Sequence, residues 1–340
     1  MLVINTRNIL GINSLDSLPD GELQAFLREW FNEKTYVIGH TSGSTGKPKE
    51  IHLNKEDMRA SARMTNRFFG IESGAVLLLC LSVSYIAGKM MVVRALEAGA
   101  ELWVVTASSH PLREVAWIDN RSVDLAAMVP MQVEVSLQEK EEAKMFGRVR
   151  QLLVGGAPVS ESLELRLGEL STVSYATYGM TETVSHVALR KIGCEKEYFA
   201  LGNVLFEQDK RGCLVINAPH LQQHCFVTND VVDLLDEKHF RWLGRWDHVI
   251  ISGGLKFFPE VIEQKICNLF KGRFFIASRP DERLGEHIVL AVEGKLPMAI
   301  DLLKEQLGKV LTPYEMPREF IEMPHFIETC SGKVIRKLEL

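Results

Sequence analysis

The side chains best suited to bind an anion in this chain lie within nine consecutive positions. The run Thr-Ser-Gly-Ser-Thr-Gly-Lys-Pro-Lys follows the apolar residues Tyr36, Val37 and Ile38, so it is predicted to be a loop after a strand. Its glycines let backbone N–H groups turn toward an anion, and its hydroxyl and ammonium groups add donors. This chemistry suits a triphosphate. The predicted phosphate-binding residues are Thr41, Ser42, Gly43, Ser44, Thr45, Gly46 and Lys47.

The spacing of this loop differs from that of a Walker P-loop, which would place a glycine at Thr41 and a hydroxyl at Pro48. A flexible Ser/Gly linker is the other interpretation. Such linkers rarely lie between a buried strand and a capped helix. Here Asn54 precedes Glu56 and Asp57, which is the pattern of an N-cap with acids in the first helical turn. The sequence therefore favours a ligand-binding loop.

Four further motifs follow in order, and together with the loop they resemble the adenylate-forming superfamily of acyl-CoA synthetases, luciferases and adenylation domains. The resemblance spans residues 41–333. It implies that ATP converts a carboxylic acid to an acyl-adenylate with release of pyrophosphate, and that coenzyme A then takes the acyl group. It also implies Mg²⁺. The four motifs are Tyr178-Gly179-Met180-Thr181-Glu182, Thr228-Asn229-Asp230, Gly244-Arg245-Trp246-Asp247 and Ser331-Gly332-Lys333.

The resemblance also implies a role for each matched residue. Thr181 would donate to phosphate, Glu182 would hold Mg²⁺, and Lys333 would bridge the carboxylate and the α-phosphate in the transition state. The remaining implied roles are the adenine-binding turn Gly155, Gly156 and Ala157, the adenine-stacking ring of Tyr178, the ribose ligands Asp230 and Arg245, the hinge residue Asp247, and the coenzyme A tunnel at Gly253 and Gly254. Simpler interpretations remain for several: a helix N-cap for Thr181 and Glu182, a strand-ending turn for Gly155–Ala157, a core tyrosine, and a hairpin turn for Gly253 and Gly254.

Within the superfamily, the chain most resembles the o-succinylbenzoate–CoA ligases of menaquinone biosynthesis. The residues that carry this resemblance lie in the segments 86–96, 128–132 and 153–158. A histidine commonly precedes the Ile-x-Gly of that group, and Tyr85 stands there in this chain. Gly88 lies in the same segment of the predicted acyl pocket. A dicarboxylate would need a partner for its distal carboxylate, and the candidates are Lys89, Arg94, His186 and Arg190, each of which could equally be a surface charge.

The composition excludes several classes of protein. The chain has 340 residues, 46% of them hydrophobic and 24% charged, with a formal net charge of −5, so no electrostatic case for nucleic acid exists. The N-terminus lacks the pattern of a secretory signal, and the most apolar stretch, residues 75–93, is interrupted by polar residues. Six cysteines without C-x-x-C spacing predict reduced thiols in a cytoplasmic protein. His220 and His224 lack enough neighbouring ligands to predict a metal site.

Alternating strands and helices predict an α/β fold with a largely parallel sheet, followed from about Gly202 by a β-rich subdomain and then by a small α+β lid. The predicted domains are residues 1–246, which would bind ATP and the acyl substrate, and residues 247–340, which would form the mobile lid. Only about 40 residues precede the phosphate loop, so the N-terminal α/β domain of the adenylate-forming ligase fold is expected to be truncated, and a homodimer could cover the exposed face. Alternative functions are another aryl- or acyl-CoA ligase, or a nucleotide-binding protein with degenerate catalysis.

Overall fold

The structure is a computed structural model of the whole chain. It describes residues 1–9, 11–41, 49–115, 121–328 and 334–338. Two predicted parts of the site, residues 42–47 of the phosphate loop and Lys333, lie outside the described residues, as does the side chain of Thr41.

The described residues form nineteen strands and eight α-helices. The strands are β1 (Leu2–Asn5), β2 (Tyr36–Thr41), β3 (Lys49–Asn54), β4 (Val76–Leu79), β5 (Glu101–Val104), β6 (Val123–Met128), β7 (Val149–Val154), β8 (Val173–Gly179), β9 (His186–Lys191), β10 (Tyr198–Ala200), β11 (Leu205–Gln208), β12 (Cys213–Asn217), β13 (Cys225–Leu234), β14 (His239–Arg245), β15 (Ile250–Ser252), β16 (Leu255–Phe257), β17 (Phe274–Asp281), β18 (Gly285–Glu293) and β19 (Glu319–Met323). The helices are α1 (Glu22–Phe31), α2 (Lys55–Phe69), α3 (Ile86–Ala98), α4 (Pro130–Gln138), α5 (Lys140–Phe146), α6 (Glu161–Gly168), α7 (Pro259–Ile266) and α8 (Ile300–Leu307).

Twelve strands form one mixed sheet with the order β1-β5-β4-β6-β7-β8-β9-β10-β14-β13-β12-β11. The neighbours from β5 to β8 are parallel, and the remaining pairs are antiparallel. The predicted α/β fold is confirmed. The β-rich half of the sheet begins with β9 at His186, earlier than the predicted start near Gly202, and β9 is antiparallel to β8 because the turn between them is too short for the crossover that a parallel connection needs.

The parallel half of the sheet is buried on both faces. Side chains of β4 alternate between the two faces, with Leu77 and Leu79 in one hydrophobic cluster and Val76 and Leu78 in the other. Helices α1, α2 and α3 supply the first cluster, and α4, α5 and α6 supply the second. The sheet is therefore covered by helices on both sides, which is the arrangement that parallel sheets require.

The helix N-cap predicted at Asn54 is present. The Asn54 side chain accepts hydrogen bonds from the backbone N–H groups of Glu56 and Asp57, so it caps α2. Gly70 and Gly99 both have left-handed backbone conformations at the ends of α2 and α3. In contrast, β3 was not predicted from the sequence. It pairs antiparallel with β2, so the phosphate loop connects the two strands of a hairpin.

A second sheet lies in the C-terminal part of the chain. Its order is β16-β15-β18-β17, with β19 parallel to β18. α7 and α8 pack against it around Ile262, Leu290 and Leu303, and this hydrophobic cluster contains only residues after Arg245. The mixture of helices and strands predicted for this part of the chain is present, including a hairpin at Gly253 and Gly254. A division into domains at residues 246 and 247 agrees with this separate core and stays a prediction. Among the described residues, no helix has the length and apolarity needed to cross a membrane.

Candidate active site

The predicted adenine-binding turn lies at the carboxyl end of β7. A Cβ on Gly155 would lie 2.2 Å from Thr177 Oγ1 on β8, so only glycine fits between these strands. Gly156 has a φ of +85°, and both it and Ala157 are exposed. The turn therefore presents open backbone at the carboxyl edge of the parallel strands, which is where open α/β sheets bind ligands.

Thr181 and Glu182 lie on a single turn of 3₁₀ helix directly after β8. Glu182 is exposed and Thr181 is half-buried. This turn contacts β2, the strand that enters the phosphate loop. The structure thus places β2, the strand that leads into the predicted loop, beside the predicted Thr-Glu pair, although Thr41 and Thr181 are 140 positions apart in the sequence. An exposed carboxylate at this edge fits Mg²⁺, which binds proteins through one or two carboxylates together with phosphate oxygens.

The turn that carries Thr181 is tightly built. A Cβ on Gly179 would lie 2.4 Å from the carbonyl oxygen of Ser185, so the chain folds back with no room for a side chain. Val184 has a φ of +53°, which is unfavourable for a β-branched residue. The buried hydroxyl of Thr183 donates to the carbonyl of Ser185 at 2.8 Å and helps to hold this conformation. Strained backbone of this kind persists where its surroundings fix it, and it occurs often at functional sites.

Asp230 is the centre of a polar cluster formed by strands that are distant in the sheet. The hydroxyl of Tyr178 donates to Asp230 Oδ2 at 2.7 Å, and the indole of Trp242 donates to Oδ1 at 3.3 Å. Arg245 lies opposite Asp230 in the β13–β14 register, with 3.6 Å between charged atoms. Burial, followed by the Asp230 carboxylate, raises the pKa of Tyr178 well above its usual range, so this hydroxyl keeps its proton.

The contact between Tyr178 and Asp230 shows that the sheet curls strongly. β8 and β13 are separated by β9, β10 and β14 in the sheet order. In a flat sheet the two strands would lie about 19 Å apart, at about 4.8 Å per strand. Strong coiling brings the predicted adenine-stacking and ribose-binding residues within hydrogen-bonding distance, and this proximity could not be derived from their separate motifs.

The hinge motif is connected to the Asp230 cluster through Arg245. Arg245 forms a 2.9 Å ion pair with Asp247, and Asn229 donates to the other oxygen of Asp247 at 3.3 Å. Arg211 in turn donates to the Asn229 side chain at 2.9 Å. The side chain of Asn229 therefore bridges Arg211 and the predicted hinge residue Asp247.

Trp246, also in the hinge motif, lies between two cations. The guanidinium of Arg211 is 5.8 Å from its ring centroid, and the ammonium of Lys256 is 5.1 Å from it. Arg211 belongs to the turn before β12, whereas Lys256 belongs to β16 of the second sheet. The ring of Trp246 therefore connects the two sheets through cation–π contacts.

Arg94 is the most unusual charge in the predicted acyl pocket. Its side chain is buried, and its contacts among the described residues are to the hydroxyl of Ser185 at 2.7 Å and the sulfur of Met91. Its Nε has no hydrogen-bond partner in the described structure, and no described carboxylate pairs with it. Burial lowers the pKa of Arg94 to about 9. Burying a guanidinium without an anion beside it is costly.

His186 lies next to Arg94 and is also buried. Its Nε2 is 3.1 Å from the hydroxyl of Thr65. Burial, and then the neighbouring Arg94 charge, lower the pKa of His186 well below its usual range. His186 is therefore neutral at physiological pH, and it can offer one hydrogen-bond donor or acceptor but no second positive charge.

The other two cationic candidates are already engaged. Arg190 forms a 2.5 Å ion pair with Glu164, so its charge is neutralised. Lys89 lies 4.7 Å from the ring centroid of Phe26, and burial lowers its pKa. Tyr85 is 67% exposed and immediately precedes α3.

Gly88, the other predicted acyl-pocket residue, has a packing role in the described structure. A Cβ there would lie 2.3 Å from the carbonyl oxygen of Ser82. The first turn of α3 therefore lies directly against the backbone that follows β4. An acyl-binding role for Gly88 stays a prediction.

In the C-terminal part, Gly253 and Gly254 form the turn of the β15–β16 hairpin with φ values of +58° and +80°. Two consecutive residues with positive φ are the signature of a type I′ turn, so the simpler interpretation of these glycines is present. Their predicted place in a coenzyme A tunnel stays a prediction. Near the hinge, a Cβ on Gly244 would lie 2.4 Å from Glu260 Oε2, and Glu260 bonds to His248 at 2.5 Å.

Sequence reasoning missed several residues that the structure adds to the site. Trp242, Ser185 and Arg211 belong to none of the predicted ligand sets. Trp242 lies three residues before Arg245, a spacing that places two side chains on opposite faces of a regular strand. No local pattern therefore marked it. Within the described residues, no group of His, Cys, Asp and Glu side chains has the arrangement of a metal centre, and His220 has no hydrogen-bond partner there.

Comparison with known proteins places this architecture in a family. Residues 16–209 match the model of the AMP-binding enzyme family. A 2-succinylbenzoate–CoA ligase from Bacillus mycoides (strain KBAB4) is 24% identical over 98% of this chain and 75% of its own length. A ligase of the same name from Lactococcus lactis is 24% identical over 90% of this chain and 71% of its own length.

Two solved structures are similar over most of the chain. An acyl-CoA synthetase (AMP-forming)/AMP-acid ligase II-like protein from Dyadobacter fermentans is 33% identical over 98% of both chains, with a TM-score of 0.65. The o-succinylbenzoate coenzyme A synthetase from Bacillus subtilis, in complex with ATP and magnesium ion, has a TM-score of 0.72. It is 20% identical over 88% of this chain and 68% of its own.

Proposed function

The chain belongs to the AMP-binding enzyme family, and on that basis we propose that it activates a carboxylic acid with ATP and transfers the acyl group to coenzyme A. The observation that supports the proposal is the cluster of Tyr178, Asp230 and Arg245, which is linked through β8 to the Gly155 turn, packed against Thr177, and to the Thr181–Glu182 turn. These residues come from five separate strands or turns. Their convergence matches a site for one nucleotide and its phosphates.

Two steps are needed because hydroxide is a poor leaving group. In the first, a carboxylate oxygen attacks the α-phosphorus of ATP, the bond to the β-phosphate breaks, and pyrophosphate leaves. In the second, the coenzyme A sulfur attacks the acyl carbonyl, and AMP leaves with the electron pair of the carbon–oxygen bond. The protein must hold the reacting groups in line and stabilise the charge that develops.

Each set of residues fits one of these tasks. Asp230 would accept the ribose hydroxyls, and Arg245 would support the ribose and the α-phosphate. The loop from Thr41 to Lys47 would hold the β- and γ-phosphates, and Lys333 would stabilise the transition state. Mg²⁺, when bound through Glu182, would offset phosphate charge. These assignments follow the motifs, and the geometry of Asp230 and Arg245 supports them.

For the acid we propose o-succinylbenzoate, a dicarboxylate. The names of the curated relatives support this choice. The uncompensated guanidinium of Arg94 supports it independently, because a second carboxylate on the substrate would supply the anion that the described structure lacks there. Ser185 and the neutral His186 would add hydrogen bonds. The cytoplasmic location and the homodimer stay predictions.

Another aryl- or acyl-CoA ligase is the second candidate. It is favoured by Tyr85, which stands at the position where the o-succinylbenzoate ligases commonly have histidine. A nucleotide-binding protein with degenerate catalysis is the third, and Thr181, Glu182 and Lys333, all present in the sequence, argue against it.

Pyrophosphate release from ATP and Mg²⁺ with a panel of acids distinguishes the three candidates. We expect o-succinylbenzoate to give pyrophosphate without coenzyme A, and AMP plus a thioester with it. Reaction of benzoates or fatty acids but not o-succinylbenzoate would reject the substrate and keep the ligase. Failure of every acid, despite ATP binding, would reject the ligase.

A further inference from the structure

Trp242 lies outside every predicted motif, yet its side chain contacts the predicted ribose ligand. Its indole N–H donates to Asp230 Oδ1 at 3.3 Å. The ring is half-buried and packs against the hydrophobic cluster of the large sheet, so the donor has one fixed direction. An indole can only donate, which makes a carboxylate its natural partner.

An irregularity in β14 brings this side chain to Asp230. Val231 pairs with Gly244 and Val232 pairs with Trp242, so β14 contains one extra residue at this point. Without the extra residue, Trp242 and Arg245 would point to opposite faces because they are three positions apart. With it, both lie on the face of Asp230. Bulges of this kind commonly redirect a side chain beside an active site.

The contacts of the Asp230 carboxylate show what Trp242 adds. Tyr178 donates to Oδ2 at 2.7 Å, whereas Arg245 lies closer to Asp247, at 2.9 Å, than to Asp230, at 3.6 Å. Within the part of the chain that the structure describes, Trp242 is thus the side chain that donates a hydrogen bond to Oδ1. A carboxylate accepts about four hydrogen bonds, so two donors fix its plane and leave positions for two ribose hydroxyls. A ligand group that is fixed in advance loses less entropy on binding.

We propose that Trp242 is a positioning residue for the ribose of the nucleotide: its indole N–H holds Asp230 in the orientation that accepts the 2′- and 3′-hydroxyls. The inference rests on the proposed function, because it requires adenosine nucleotide to bind at Asp230. It predicts a specific loss in Trp242 variants. Affinity should fall for nucleotides that carry the two hydroxyls and not for those that lack them.

The test compares AMP with 2′,3′-dideoxy-AMP by calorimetric titration. The wild type should bind AMP at least about tenfold more tightly, since a site built to bond hydroxyls rejects an analogue without them. In Trp242→Phe, AMP affinity should fall roughly three- to tenfold, the effect of one lost hydrogen bond. Dideoxy-AMP affinity should stay unchanged. Trp242→Leu should behave like Trp242→Phe, and Trp242→His, which keeps a ring N–H, should recover part of the preference.

Tyr198→Phe is the matched control. The ring centroid of Tyr198 is 5.8 Å from that of Tyr178, but the hydroxyl of Tyr198 interacts with Arg190 rather than with Asp230. The variant should keep the wild-type preference for AMP. Equal loss of both ligands in the Trp242 variants, or an unchanged preference in Trp242→Phe and Trp242→Leu, would overturn the inference. Absence of AMP binding in the wild type would overturn both the inference and the proposed function. If the wild type ligates an acid to coenzyme A but the Trp242 variants keep the full preference for AMP over dideoxy-AMP, the inference alone would be overturned.

Discussion

At the scale of single residues, the surroundings of Arg94 favour a substrate that carries a second carboxylate. Its charge is buried without a described carboxylate partner, while Arg190, the candidate most similar in chemistry, is neutralised by Glu164. Natural proteins often keep such an unfavourable group because function requires it, and stability is lost in return. The two arginines therefore form a matched pair for experiment, because Arg94 should bind the ligand and Arg190 should stabilise the fold.

We expect Arg94→Gln and Arg190→Gln to have opposite effects. Arg94→Gln should lower kcat/KM for o-succinylbenzoate about 10- to 100-fold, because a charge-assisted hydrogen bond contributes roughly 1.5–3 kcal/mol. It should leave the free energy of unfolding unchanged or raise it, since a buried unpaired charge is removed. Arg190→Gln should lower stability, because Glu164 loses its partner. It should keep the preference for o-succinylbenzoate over benzoate.

Kinetics with the two acids and urea unfolding of each variant measure both effects. A loss of stability in Arg94→Gln with no change in kinetics would show that Arg94 serves the fold. An equal loss of activity with both acids would place Arg94 outside the distal-carboxylate site.

At the scale of elements, the β2–β3 hairpin lies beside the predicted Thr181–Glu182 pair, although the two are far apart in sequence. β2, the strand that precedes the predicted phosphate loop, contacts the Thr181–Thr183 turn. If the loop binds only the β- and γ-phosphates, its donors have no partner once pyrophosphate has left. The nucleoside would still be held by Asp230 and the Gly155 turn.

A double variant, Thr45→Ala with Lys47→Ala, should therefore separate ATP binding from AMP binding. We expect ATP affinity and the adenylation rate to fall at least about tenfold, since each lost charge-assisted bond contributes roughly 1.5–3 kcal/mol and 1.4 kcal/mol is one decade. AMP affinity should stay nearly unchanged. Calorimetric titration measures the affinity for both nucleotides. Lys210 is exposed, so Lys210→Ala serves as a control for the loss of one positive charge. Unchanged ATP affinity would mean that the loop is only a connection.

At the scale of the whole molecule, the two sheets meet at the hinge motif. Asp247 bonds to Arg245 and Asn229, Trp246 lies between Arg211 and Lys256, and Gly244 leaves room for Glu260. The contacts of Asp247 and Trp246 are few and partly exposed, and such contacts contribute about 1 kcal/mol or less each. Rotation of the second sheet about Asp247 would therefore break contacts of modest strength.

We expect one hinge variant and one lid variant to impair different half-reactions. Lys333→Ala should slow adenylation by about 10²–10³, the usual effect of losing one transition-state donor. It should leave thioester formation from supplied acyl-adenylate nearly intact. Asp247→Pro should do the reverse, because proline fixes φ and stiffens the pivot. Pyrophosphate release and thioester formation are measured separately.

Asp247→Ala serves as the control for the hinge. It removes the same contacts to Arg245 and Asn229 but leaves the backbone free to turn. It should keep most thioester activity, unlike Asp247→Pro. Equal loss of both half-reactions in Lys333→Ala and Asp247→Pro would favour a single static site.

The sequence alone determined the features that depend on local chemistry. Helix α2 begins after Asn54, whose side chain caps free backbone N–H groups, and it ends at Gly70, which readily adopts a left-handed backbone conformation. The hairpin turn at Gly253 and Gly254 follows from the same kind of preference. The order of the motifs was sufficient to predict the family, and the match of residues 16–209 to the AMP-binding enzyme family confirms that prediction.

Only the tertiary structure decided which residues meet. The curl of the large sheet brings Tyr178 to Asp230, and an extra residue in β14 turns Trp242 toward the same carboxylate. Arg190 is paired with Glu164, whereas Arg94 is buried without a described carboxylate partner, and the sequence alone did not distinguish these two arginines. Coiling, register and burial result from interactions summed over many strands, so no single motif contains them. Local preference therefore specified the parts of this site, and long-range packing specified their contacts.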